Sequence, residues 1–311
     1  MAAVALAGCA TSPTPEFRKT PGPPDVIAHR GASAYAPENT LAAFALAADL
    51  GADWFELDCT LTQDGAVIVI HDDTVDRVTN GTGRVAAQTL AALQQLDAGS
   101  QKDPRFAGER LPTLDAALEL AKARRIGVYI EIKNSADDGP LYGAIERLAT
   151  GVHPFTTGQR RQMMALIHGS GTRNLELTRK TIALVRQHQM EKQVVIQSFA
   201  PVVCAIVQDE APEIRAELLA GKDAKHPENW AQTLRWLEWL RPAGFNIDAA
   251  AVEPALLADC HRRGITMAVW TVDGEADLRR FADWGVDHLI TNRPDAALKL
   301  LREMGKRPAG K

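Results

Sequence analysis

Residues 54–72 read WFELDCTLTQDGAVIVIHD, and the fold turns on how this stretch is parsed. Trp54–Leu57 reads as a strand, and Asp64-Gly65 is a favourable hairpin turn. Ala66–Ile70 follows that turn with no room for a crossover helix, so it cannot be the next parallel strand. The stretch is therefore an antiparallel hairpin with arms Phe55–Gln63 and Ala66–Asp72. Asp58 lies six positions before the turn and His71 six after it. Closing the hairpin thus returns His71 to the level of Asp58 and Glu56. These two carboxylates, two residues apart on a strand, point to one face. Placed together out of water they repel each other and resist desolvation, problems that a divalent cation relieves.

Outward from the hairpin, short apolar runs alternate with helix-like stretches. Strands are expected at Val26–Ala28, Val128–Ile132, Val194–Ser198, Ile214–Leu219, Phe245–Asp248, Thr266–Trp270 and His288–Thr291. Helices fit at Leu114–Ala123, Leu175–His188, Trp230–Leu240, Pro254–Arg263 and Glu275–Trp284. Another should start at Asn39 or Thr40, bury Leu41, Phe44, Ala45 and Ala48, and stop at Gly51. With Trp54–Leu57 the strands number eight. The alternation predicts an α/β fold, a (β/α)8 TIM barrel over 25–302, whose interior takes bulky branched side chains and whose site lies at the strand C-termini. A doubly wound sheet is the rival, weakened because no glycine-rich nucleotide loop follows the first strand. Two segments are long for connections. Residues 73–112 form a small insertion after the hairpin, with a short helix at Leu90–Leu96. Residues 134–174 form a long loop with a short helix at Arg160–His168; it either covers the site or ornaments the surface.

Glu131 repeats the acidic pattern on the strand after the hairpin, between Ile130 and Ile132. Glu56, Asp58 and Glu131 together read as a hard oxygen site for Mg2+ or Ca2+, with Mn2+ also compatible. The competing reading is metal-free, with Glu131 paired to Lys133 and Glu56 to Arg30. His29 and Arg30 follow the first strand directly. A guanidinium facing a phosphate can hold two oxygens, and Lys133 can add a second positive contact. His71 arrives through the hairpin, with Asp72 or Asp73 available to orient its ring. Two imidazoles across a phosphodiester suit proton transfer to and from its oxygens.

The bulk composition sets limits on partners and location. The chain has 311 residues, 46% of them apolar, and a formal charge of -4, which argues against nucleic acid as a partner. Cys59, Cys204 and Cys260 sit in apolar surroundings, and no CxxC pair suggests zinc. Residues 1–24 combine a small apolar start with a proline-containing linker. Leu6-Ala7-Gly8-Cys9 looks like a lipobox, predicting a lipid anchor at Cys9 and a periplasmic or membrane-tethered protein. The short apolar stretch without a basic start argues the other way, towards a cytoplasmic protein with an unprocessed Cys9. Residues 303–311 read as a tail. Oligomeric state is not legible.

Six elements occur in order: HRG (29–31), PENT (37–40), ELD (56–58), DG followed by HDD (64–73), NGTG (80–83) and EIK (131–133). Together with LPTLDAAL, VVIQSF, MAVWTVD and DHLITNRPD, they make the chain resemble the glycerophosphodiester phosphodiesterase family. The resemblance implies a barrel with an insertion after the hairpin histidine. It implies His29 and His71 as the acid–base pair, Glu56, Asp58 and Glu131 as metal ligands, and Arg30 and Lys133 as phosphate contacts. Glu38 would support the metal region, and Trp270 would be an apolar wall for glycerol or barrel core. The implied reaction converts glycerophosphodiesters to glycerol 3-phosphate and an alcohol, through a cyclic phosphate. Two other readings remain: phospholipase D-like cleavage of lysophospholipids, and a non-catalytic binder of phosphorylated polyols. Ala200 after Gln197-Ser198-Phe199, and the cluster Trp230, Trp236 and Trp239, depart from the family pattern and leave head-group preference open.

Overall fold

The computed structural model describes residues 22–133, 138–149, 151, 153–223 and 225–308; Cys9 and the lipobox stretch lie outside them. One sheet contains β1 (Asp25–Ala28), β2 (Trp54–Leu61), β3 (Val67–Val69), β4 (Gly127–Ile132), β5 (Val194–Ser198), β6 (Arg215–Ala220), β7 (Gly244–Asp248), β8 (Thr266–Trp270) and β9 (His288–Thr291). All but β3 run parallel, and the pairing of β1 with both β2 and β9 closes an eight-stranded barrel. β3 is antiparallel to β2, with Cys59 opposite Val69 and Leu61 opposite Val67. That register is the hairpin expected from Asp64-Gly65, and it carries His71 back beside Asp58: the Ile70 N–H donates to the Asp58 carbonyl at 2.9 Å.

The helices are α1 (Leu41–Asp49), α2 (Leu90–Leu93), α3 (Leu114–Arg124), α4 (Gly139–Glu146), α5 (Thr157–Ser170), α6 (Arg173–His188), α7 (Pro201–Glu210), α8 (Pro227–Leu240), α9 (Pro254–Arg262), α10 (Glu275–Trp284) and α11 (Pro294–Glu303). Thr40 caps α1 by accepting from the Ala43 N–H. The buried face of α1 is Ala43, Phe44 and Ala47, rotated from the expected Leu41–Phe44–Ala45–Ala48 stripe. In an alanine-rich helix the few large side chains define the stripe poorly, and Phe44 is fixed by stacking on Phe55 at 4.4 Å. α5 is longer than the short helix expected at Arg160–His168, because Thr156 and Gln159 form a reciprocal capping box that starts it early. α4, α7 and α11 are additional. α7 is buried at every position from Pro201 to Val207, so it lacks the polar face that produces a helical period.

Most of the apolar core lies between the strands and the surrounding helices. Trp236 and Trp239 belong to this core, packed with Phe155. The insertion has its own small core of Ile68, Ile70, Val75, Val85, Leu93, Ala98 and Leu111.

The barrel interior departs from the expected filling of branched residues. Ile27, Val195 and Ile290 are branched as expected, but most of the remaining filling is polar or aromatic. Asn246 donates to both Gln197 and Glu217 at 2.8 Å, Arg215 pairs with Glu217, and the Trp54 ring packs edge-on to Tyr129. Gly244 makes room for this network, since a Cβ there would lie 2.5 Å from the Glu217 carboxyl carbon. Below it, Arg307 reaches under the barrel from the end of α11, pairing with Asp53 and donating to the Pro24 carbonyl at 3.1 Å.

Candidate active site

The upper end of the barrel gathers the acidic residues. Glu56 and Asp58 project from β2, and Asp58 lies opposite Glu131 in the β2–β4 register. All three are buried, and each offers an oxygen within 4.8 Å of the others. Burial, followed by the charges of Asp58 and Glu131, pushes the Glu56 carboxyl well above the usual carboxylate range. Burial and Asp58 likewise push Glu131 up to about 7. Burial would also raise Asp58, but the Lys133, Arg30 and His71 charges outweigh it and hold Asp58 low.

The compensating contacts divide between the metal-free and the metal readings. Lys133 Nζ donates to Glu131 at 2.8 Å and to Asp58 at 3.4 Å. Arg30 contacts Asp58 through Nε at 3.3 Å and Glu38 through Nη1 at 2.9 Å. The Arg30–Glu56 side-chain pairing of the metal-free reading does not form; the Arg30 backbone N–H donates to Glu56 at 2.9 Å. Among the described residues Glu56 has no cationic side chain within 4.0 Å. Three buried carboxylates, two of them driven towards protonation, form a donor set that fits a hard divalent cation.

His29 and Arg30 reach this site through a tight turn. Arg30 and Gly31 both adopt positive φ, 55° and 79°. A Cβ on Gly31 would come within 2.6 Å of the Ala43 backbone, so the turn packs directly on α1 and only glycine fits. His29 Nδ1 lies 2.8 Å from Asn292 Oδ1. The Asn292 amide nitrogen is committed to Asp273 at 2.6 Å, so its oxygen faces the histidine and must accept. Neutral His29 therefore carries its proton on Nδ1 and leaves Nε2 bare. Burial, followed by the Arg30 charge, lowers the pKa of His29 and favours that neutral form. His71 Nδ1 is held at 2.6 Å by Asp72, one of the two orienting residues expected.

A cavity of about 230 Å³ joins these groups. Its lining combines the charged or titratable His29, Arg30, Glu56, His71, Glu131 and Lys133 with the uncharged Gln197, Phe199, Leu219, Trp270 and Ile290. A small molecule with a charged phosphate and an uncharged part matches this mixed lining.

The glycerophosphoryl diester phosphodiesterase family matches residues 29–296 of the chain. The chain belongs to this family. A glycerophosphodiester phosphodiesterase of Caldanaerobacter subterraneus is 37% identical over 90% of the chain and 98% of its own length. One from Bacillus subtilis is 31% identical over 86% of the chain and 83% of the relative. Among solved structures, a phosphodiesterase of Oleispira antarctica in complex with the product sn-glycerol 3-phosphate is similar, with a TM-score of 0.69 at 25% identity. That match covers 90% of this chain and 97% of the other. A glycerophosphodiester phosphodiesterase of Agrobacterium tumefaciens gives 0.62 at 31% identity, covering 89% and 99%.

Within this phosphodiesterase family member, seven of the nine residues expected at the site line the cavity, and Asp58 lies opposite Glu131 beside it. Glu38 sits outside the carboxylate trio and pairs with Arg30. Trp270 is half-buried, its Nε1–H donating to the Asn246 carbonyl at 3.2 Å and its ring edge-on to Phe199. It is thus both cavity wall and part of the barrel filling. The sequence reading missed Asn39, which donates to Asp58 at 2.8 Å and accepts from the Asp58 N–H at 3.2 Å. It also missed Asn292, Asp273 and Arg77. The signal for Asn39 was its position in PENT beside the capping threonine; cap chemistry alone explained it, which hid its second use.

Proposed function

We propose that this chain hydrolyses glycerophosphodiesters to glycerol 3-phosphate and the free alcohol. The observation that carries the reading is one pocket holding two imidazoles, each fixed through Nδ1, beside Arg30, Lys133 and the acidic trio. Fixing Nδ1 leaves Nε2 of each ring for the substrate. Arg30 and Lys133 bind the phosphoryl oxygens. His29, neutral at its bare Nε2, takes the proton of the glycerol hydroxyl beside the phosphate, and that oxygen bonds to phosphorus. His71 gives a proton to the departing alcohol. Water then opens the cyclic phosphate with the proton roles reversed, yielding glycerol 3-phosphate.

Glu56, Asp58 and Glu131 would hold one divalent cation, Mg2+ in preference to Ca2+, with Mn2+ also accepted. When bound, it would supply Lewis-acid stabilisation of charge on the phosphoryl group. The water-soluble diester is preferred over a lysophospholipid because the mouth offers little apolar rim. Among the described residues the exposed large apolar side chains are Leu166, Phe199 and Trp284, and only Phe199 borders the cavity.

The test is product analysis with glycerophosphocholine and lysophosphatidylcholine, in EDTA and after adding Mg2+, Ca2+ or Mn2+. Glycerol 3-phosphate from the first substrate, lost in EDTA and restored by a hard cation, is expected. Stoichiometric zinc with activity indifferent to chelation would sink the metal assignment. A ligand bound tightly with no product would return the binding-protein reading.

No described helix is long and apolar enough to cross a membrane. The 25–302 barrel with its 73–112 insertion is read as the catalytic unit. Cys9 is read as its lipid attachment point outside the cytoplasm. A diacylated Cys9 in mass spectra of the native N-terminus is expected, and an intact Met1 would end that reading.

A further inference from the structure

The proton-transfer scheme leaves one well-built arrangement unused, centred on Arg77 in the turn after the hairpin. Both edges of its guanidinium are engaged. Nε and Nη2 donate to the two oxygens of Asp72 at 2.6 and 3.1 Å. Nη1 and Nη2 donate to the two oxygens of Glu38 at 2.9 and 2.8 Å. Each carboxylate then reaches inward: Asp72 to His71 Nδ1 at 2.6 Å, and Glu38 to Arg30 Nη1 at 2.9 Å. We propose that Arg77 is a positioning residue that sets the His71 ring and the Arg30 guanidinium together, acting through Asp72 and Glu38.

An isolated surface ion pair contributes little, and Arg77 is half-exposed. Its case differs because one rigid fork holds two carboxylates that would otherwise repel each other. Without it, Glu38 would be free to draw Arg30 outward, away from the 3.3 Å contact with Asp58. Asp72 would lose the partner that aims it at His71. The hydrogen bonds from Arg77 also hold the Asp72 carboxyl well below the usual range, so it remains an acceptor for the imidazole. The turn itself is firm. Val75 is buried in the insertion core, its N–H donates to the Gly83 carbonyl at 3.0 Å, and the Thr79 N–H donates to the Val75 carbonyl at 3.0 Å. The insertion thereby braces two site residues without touching the cavity.

This inference rests on the roles given above to His71 and Arg30. The experiment measures kcat and KM for glycerophosphocholine, with melting temperature, in wild type, Arg77→Ala, Arg77→Lys, Asp72→Asn and the Arg77→Ala/Asp72→Asn double variant. Arg77→Ala is expected to lose about 10- to 100-fold, chiefly in kcat, as when a partner that orients an active-site residue is removed. Arg77→Lys should recover only a minor part, since an ammonium cannot bridge two carboxylates in one plane. Millimolar guanidinium should restore Arg77→Ala along a saturating curve and leave wild type unchanged. Asp72→Asn should cost much less in the Arg77→Ala background than in wild type. Arg105→Ala is the control, because Arg105 ties the insertion to the Tyr35 carbonyl at 3.0 Å without touching a site carboxylate. Wild-type kcat in folded Arg77→Ala, independent multiplying losses in the double variant, or an equal loss in Arg105→Ala would overturn the proposal. Wild-type protein with no turnover would instead remove the reading beneath it, so the two failures are distinguishable.

Discussion

The two ends of the barrel treat buried charge in opposite ways. At the lower end the described charges are paired: Arg307 lies against Asp53 and Asp25, and Arg215 joins Glu217 and Asn246 in a network that climbs to Gln197 in the cavity lining. At the upper end three carboxylates share one small space, with no cationic side chain among the described residues within 4.0 Å of Glu56 and with Glu131 pushed up to about 7. Buried charge without compensation is costly, and natural folds retain it where something else supplies the missing partner. The lower end thus reads as closure of the fold, and the upper end as a carboxylate cluster able to hold a divalent cation.

The comparison is tested first where the effect is largest. His71→Ala and His29→Ala should each lower kcat by about 10²- to 10⁴-fold, the usual contribution of a positioned acid or base. Both should melt near the wild-type temperature, since neither ring is part of the lower network. Activity lost only in step with unfolding would erase the contrast between the ends.

Next comes Arg307→Ala. Its side chain is 13% exposed, and removing it leaves Asp53 and Asp25 without their main cation. The expected cost is about 3 kcal/mol of stability, as for breaking a buried ion pair by removing one partner. At temperatures where the variant is folded, kcat should be unchanged. Denaturant unfolding beside a kcat measurement checks both halves, and a stable variant with lowered kcat would contradict the assignment of this end to stability.

At the upper end, neutralising a carboxylate should have the reverse effect on stability. In metal-free protein Glu131 holds its proton up to about 7, above the ordinary carboxylate value of 4.5. A raised folded pKa means that stability is present at low pH and lost as pH climbs towards that value. Glu131→Gln in EDTA should therefore gain on wild type between pH 5 and 8, by about 1 kcal/mol once the changed contact with Lys133 is set against it. The same variant should lose its response to added Mg2+. Melting curves across pH, with and without the cation, would expose an unchanged or falling stability.

The sequence made the upper end far more legible than the lower. His29, Arg30, Glu56, Asp58, His71, Glu131 and Lys133 stand at predictable strand ends, and the arithmetic of the Asp64-Gly65 turn was enough to bring His71 to Asp58. The lower network is scattered: Arg215 and Glu217 share one face of β6, but Asp25, Asn246 and Arg307 are single polar residues far from them in sequence. Only the parallel pairing of β5 with β6 and of β6 with β7 brings Gln197, Glu217 and Asn246 together. Arg77 was hidden for another reason. An arginine in a polar loop ordinarily faces solvent, and its two partners lie 5 and 39 positions away. α7 escaped because full burial leaves no period to read.

The smallest effect tests whether compensation, and not location, decides what a charge does. Asp97 lies in the insertion above the barrel, yet its oxygens accept from the Gly99, Ser100 and Gly108 N–H groups and from the Ser100 hydroxyl, all at 2.8–2.9 Å. Those donors, the Ser100 and Gly108 backbone N–H groups foremost, hold its carboxyl well below the usual range. A depressed folded pKa gives stability that is full above the unfolded value, about 4, and lost as pH falls towards the folded one. Asp97→Asn keeps one acceptor oxygen but turns an amide towards the Gly108 N–H, setting donor against donor. The variant should melt slightly below wild type at pH 7, with the gap constant down to about pH 4 and narrowing in stronger acid. The site is open to water, so the gap should stay well short of the one at Arg307. A gap that widened in acid would mean that the carboxylate is strained at this position, as at the barrel mouth, and not held by its donors.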